Sequence, residues 1–131
     1  MKSADAASKR PLSPHLQIYK PIPTMVMSIM HRITGAALYL GTLLLVWWIA
    51  AAATGEAYSD FVHGFFGSIF GRLILFGYTW ALIHHALGGI RHFMWDLGYG
   101  FDKHFATKMA YAMAIGSVLL TILVWIIGYA V

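Results

Sequence analysis

The chain has 131 residues, 60% of them hydrophobic and only 11% charged, and it contains no cysteine. Soluble domains carry about 25% charged residues, so this is a membrane chain, and its length leaves room for one domain. Without thiols it holds no disulfide, thiolate metal site, iron–sulfur cluster or covalent c-type haem; its formal charge of +4 belongs with membrane topology and anionic head groups rather than with nucleic acid.

Residues 1–24 form a polar arm bearing Pro11, Pro14, Pro21 and Pro23 together with Lys2, Lys9, Arg10 and Lys20. It lacks the apolar run of a signal peptide. Its prolines bias it toward extended backbone, which suits an arm lying against soluble subunits.

Residues 25–131 then read as a transmembrane domain. The segments 33–53, 73–90 and 109–131 contain no Asp, Glu, Lys or Arg. About 20 apolar residues span the hydrocarbon core, and no segment alternates with the period of a barrel strand, so the expected fold is all-α with three transmembrane helices. Their expected extents are about 25–53, 65–93 and 106–131. The sequence His63-Gly-Phe-Phe-Gly-Ser68 suggests an interfacial turn before the second span.

Flanking charge sets the orientation. Lys2, Lys9, Arg10, Lys20 and Arg32 precede or open the first span, and Arg91, Lys103 and Lys108 lie between the second and third. Residues 54–71 contain neither Lys nor Arg. The positive-inside rule puts the N-terminus inside and the C-terminus outside.

Polar residues inside a membrane are costly and point to function. In the second span His85, Gly89, His92 and Asp96 share a narrow arc, Gly88 borders it, and His84 is turned about 100° away. A histidine flanked by glycine offers an axial nitrogen with space beside it for a planar porphyrin. His85 is therefore the candidate haem ligand and His84 the control. Arg91 lies about 9 Å further along the helix, within reach of the propionates of such a haem, as does His92.

The first span opens with Ser28, His31 and Arg32, on the same membrane side as Arg91 and His92. A cation near a helix N-terminus is disfavoured by the dipole, so Arg32 points to a nearby anion. Ser28, one turn earlier on the same face, adds a hydroxyl for a small polar ligand. Spacing alone leaves a bland reading open, in which the histidines hydrogen-bond neighbouring helices and Gly88-Gly89 is a helix-packing contact.

Three elements, in order along the whole chain, carry a resemblance to a known family. Arg10-Pro-Leu-Ser-Pro-His-Leu-Gln-Ile-Tyr19, Ser28-Ile-Met-His-Arg-Ile-Thr-Gly35 and His85-Ala-Leu-Gly-Gly-Ile-Arg-His-Phe-Met-Trp-Asp96 resemble the cytochrome b556 subunits of succinate dehydrogenase, respiratory complex II, of the mitochondrial and alphaproteobacterial type. The resemblance implies that His85 is an axial ligand of one haem b, the other axial histidine coming from a second small membrane subunit. It implies further that Ser28 and Arg32 line the ubiquinone site and that His31 and His92 lie near the haem propionates.

The implied function is that of a membrane anchor in the tricarboxylic acid cycle and aerobic respiratory chain. Succinate is oxidised on a flavoprotein subunit, and electrons pass through an iron–sulfur subunit to ubiquinone in an inner cytoplasmic or mitochondrial membrane. This chain has neither flavin nor cluster ligands and is a non-flavin subunit of the enzyme, contributing to the quinone site. Two alternatives stay open: the anchor of a fumarate reductase, and a non-redox structural or channel subunit.

Overall fold

The computed structural model describes residues 19–130; most of the proline-bearing arm lies outside the described residues. These residues form four helices: α1 (Pro23–Thr54), α2 (Glu56–Gly67), α3 (Ile69–Asp96) and α4 (Lys103–Ala130). Three of them, α1, α3 and α4, are long and apolar enough to cross a membrane. At 1.5 Å per residue, the 28-residue helices α3 and α4 are about 42 Å long, more than the roughly 30 Å hydrocarbon core requires.

Local chemistry sets the helix ends. Ile22, preceding Pro23, is extended at φ −84° and ψ 158°, as the clash of a residue with a following proline ring requires. Pro23 occupies the first turn, where its missing N–H costs nothing. Gly55 ends α1 at φ +138°, a region closed to side-chain-bearing residues, so the chain enters α2 directly.

The second span begins later than the residues suggested. Residues 65–67 belong to α2, which is amphipathic and buries Val62 and Phe66 against Ala51, Leu44, Trp47, Trp48 and Leu75. The break falls at Ser68, whose hydroxyl donates to the Phe65 carbonyl at 2.6 Å and accepts from the Gly71 N–H at 3.1 Å. That is an N-cap for α3. Gly64 and Gly67 read as turn residues in sequence, but the i, i+4 pair Val62 and Phe66 holds this stretch helical by packing.

After α3, Gly98 and Gly100 at φ +82° turn the chain, and the Asp102 carboxylate accepts from the Phe105 N–H at 2.9 Å to cap α4. The interior of the bundle is small and polar. Thr34, Gly41 and Ala51 of α1, Gly71, Ala81, His84, Gly88 and Arg91 of α3, and Ala110, Met113, Ser117 and Thr121 of α4 are buried. Small residues let helices approach where lipid gives no hydrophobic drive for association. An added Cβ on Gly41 would stand 2.2 Å from the Tyr78 ring, and Trp125 Nε1–H donates across to Thr79 Oγ1 at 3.3 Å.

Candidate functional site

The two adjacent histidines of α3 part company at the helix surface. His84 is 1% exposed and points into the bundle, 5.3 Å from the Trp80 ring. Ser117 donates its only hydroxyl proton to the Ala114 carbonyl at 3.0 Å, so its oxygen accepts from His84 Nδ1–H at 3.2 Å. His84 Nε2 is left buried inside the chain, with no partner among the described residues.

His85 faces α1 and is half-buried. Its Nδ1 lies 3.1 Å from the His31 carbonyl oxygen. A carbonyl only accepts, so Nδ1 carries a proton, and in the tautomer able to ligate a metal Nε2 then holds the lone pair. Among the described residues no hydrogen bond engages that Nε2, and it is not one of the buried unpartnered atoms.

Around this ring α1 supplies a close-fitting wall. The His31 ring stacks on His85 with centroids 3.9 Å apart and planes 9° from parallel. A Cβ on Gly35 would stand 3.0 Å from His85 Cε1. His92 completes an imidazole cluster, 5.1 Å from His31, and is exposed.

The two neighbouring glycines of α3 do different jobs. Gly88 is buried and admits the His31 ring, whose Cδ2 lies 2.2 Å from where a Cβ would be. It is a helix-packing glycine, on the His84 side. A Cβ on Gly89 would meet nothing within 4 Å among the described residues, which leaves space beside His85. Those donors and that open face fit a planar macrocycle ligated by one imidazole: a ring with one nitrogen held on α1, the other not engaged within the described residues, and no side chain at Gly89 to obstruct it.

Arg91 is not on this face. It is turned about 120° from His85 around the helix, is 1% exposed, and lies 4.6 Å over the Trp95 ring. Among the described residues its three guanidinium nitrogens have no hydrogen-bond partner. His31 and His92 are the two expected propionate neighbours that stand with His85.

Ser28 and Arg32 share one face of α1, half-buried and exposed respectively. The helix begins at Pro23, more than two turns before Arg32, and dipole effects fade within the first turn. The dipole therefore gives no reason for an anion at Arg32; its charge on a spanning helix does. Sequence reading missed Thr34, which is 1% exposed and has its hydroxyl 3.4 Å from His85 Nδ1. Its spacing of three from His31 was the available signal, since it puts both on one helix face.

Residues 6–124 match the family model of the succinate dehydrogenase/fumarate reductase transmembrane subunit. The chain belongs to that family. Among its relatives, the succinate dehydrogenase cytochrome b556 subunit of Paracoccus denitrificans is 43% identical over 120 residues, 92% of either chain. That of Rickettsia conorii is 39% identical over 119 residues, covering 91% of this chain and 93% of its own. The mitochondrial succinate dehydrogenase cytochrome b560 subunit of Bos taurus is 38% identical over 100 residues, 75% of this chain and 59% of its own. This member of the transmembrane-subunit family is a multi-pass membrane protein, consistent with its three helices long and apolar enough to cross a membrane.

Proposed function

We propose that this chain is the membrane-anchoring cytochrome b subunit of a succinate:ubiquinone oxidoreductase, giving His85 Nε2 to one face of a shared b-type haem and Ser28 and Arg32 to the quinone site. The observation that carries the reading is the contrast between His84 and His85. One ring is tied inward to Ser117; the other has Nδ1–H engaged on α1 and open space at Gly89 beside it. The names of the relatives, cytochrome b subunits of succinate dehydrogenase, support the same role.

When bound, haem b supplies a one-electron store within the membrane. The chain's own part is to orient and to neutralise. Quinone reduction takes two electrons and two protons, so a site needs a donor to orient a carbonyl and a cation to stabilise the reduced anion. The Ser28 hydroxyl and Arg32 guanidinium, four residues apart on one helix face, supply one of each. In this reading another small membrane subunit would supply a second histidine to hold the haem and the rest of the quinone site. The N-terminal arm docks the iron–sulfur subunit, which connects to the flavoprotein, and the N-terminus lies on the cytoplasmic or matrix side.

The test is a reduced-minus-oxidised optical spectrum of the complex purified through this chain, for wild type, His84→Ala and His85→Ala. The expected result is a b-type band that survives the His84 change and is lost or becomes high-spin with the His85 change. A wild type without the band, or loss with His84→Ala alone, overturns the assignment.

A further inference from the structure

Resting on the reading of His85 as haem ligand, we infer that Thr34, together with the His31 carbonyl, is a positioning residue for that ligand, fixing its Nδ1–H tautomer and aiming Nε2 out of the bundle. The hydroxyl of Thr34 lies 2.9 Å from the Met30 carbonyl and 3.0 Å from the His31 carbonyl. Those oxygens only accept, so the hydroxyl proton is spent on α1 itself and the Thr34 oxygen faces His85 as an acceptor. His85 Nδ1–H is shared between the His31 carbonyl at 3.1 Å and Thr34 Oγ1 at 3.4 Å.

Both acceptors come from the turn His31–Gly35, and Gly35 lets the ring approach that turn. The arrangement is buried at Thr34, where a hydrogen bond gains strength from low dielectric. Donation from Nδ1–H makes an imidazole a more basic ligand, and the partner of a ligating histidine's second nitrogen tunes the metal it binds. A more basic ligand favours ferric over ferrous iron. Thr34 therefore holds the midpoint potential of the haem down, without touching it.

The experiment is a redox titration and a low-temperature optical spectrum of the whole purified complex for wild type, Thr34→Val, Thr34→Ala, Thr34→Ser and His85→Ala. Thr34→Val and Thr34→Ala are expected to raise the midpoint potential and shift the α-band. Thr34→Ser, which keeps the hydroxyl, is expected to retain the wild-type values.

Equal potentials in wild type and the hydroxyl-free variants overturn the inference, as does a Thr34→Ser shift as large as that of Thr34→Val, which would assign the effect to packing. If neither hydroxyl-free variant assembles while Thr34→Ser does, the hydroxyl serves assembly and the positioning role falls. Failure of the underlying reading is distinct: the wild type then lacks a b-type band, or His85→Ala keeps it.

Discussion

Gly88 and Gly89 are neighbours in sequence, yet one carries an interhelical contact and the other faces open space. Gly88→Ala would press a methyl into the His31 ring, and overpacking of this kind costs about 1–3 kcal/mol. The expected outcome is a lower thermal midpoint for the purified complex. Gly89→Ala leaves every contact within the chain intact, so it is expected to keep that midpoint closer to wild type while lowering haem content per complex. Haem content unchanged in Gly89→Ala would remove the open face from the argument for His85. Both glycines, and both histidines, were legible in sequence as a group, because their helical angles follow from 100° per residue. Their separate roles were not: a helical wheel does not say which side α1 packs on, and it is the His31 ring seated at Gly88 that assigns Gly88 to packing. Thr34 was hidden for a related reason, since a threonine in an apolar helix commonly bonds its own preceding turn and only the arrival of His85 gives it a second role.

At the scale of elements, α2 is the part of the architecture that charge-free runs did not reveal. It carries Glu56 and Asp60, is too short to span a membrane, and is held by packing rather than by its own propensity, as isolated helices of its length are marginal in water. Phe66, 4% exposed, stands 5.4 Å from Trp48 and 5.8 Å from Trp47, so it anchors α2 to the end of α1. Replacing a buried Phe by Ala costs about 3–5 kcal/mol in a well-packed core. Phe66→Ala is expected to lower the thermal midpoint of the complex and expose the α1–α2 junction to protease, whereas Phe61→Ala, on the same helix but 65% exposed, is expected to do neither. A protease pattern and midpoint the same for the two variants would mean that α2 is held by something other than this cluster.

Over the whole molecule the usual distribution of side chains is inverted. Apart from Val62, Phe66 and Met113 the buried positions hold Ala, Gly, Ser and Thr with His84 and Arg91, while Leu40, Leu43, Ile49, Leu73 and Ile126 lie exposed, facing lipid or partner subunits. His31 Nε2 and His84 Nε2 are buried, and His92, though exposed, follows His85 by seven residues on the same face of α3, so none of these described histidines can take the far side of a haem held by His85. Expressed in membranes without a second small subunit, it is accordingly expected to give no six-coordinate low-spin b-type spectrum at one haem per chain. Recovery of that spectrum at that stoichiometry from the lone chain would overturn the shared-haem arrangement.

By itself the sequence determined the all-helical state, the three spans and the exclusion of thiolate and cluster chemistry. Lipid offers the backbone no hydrogen bonds, so long charge-free segments without strand alternation have one way to satisfy themselves, and cysteine is either present or not. Tertiary structure alone decided that His84 is tied to Ser117, that Arg91 lies inside the bundle over Trp95, and that the His31–Gly35 turn holds the ring of His85. Those outcomes depend on which faces of α1 and α4 meet α3, and that is settled by the fit of small residues between helices, a long-range property that no local periodicity contains.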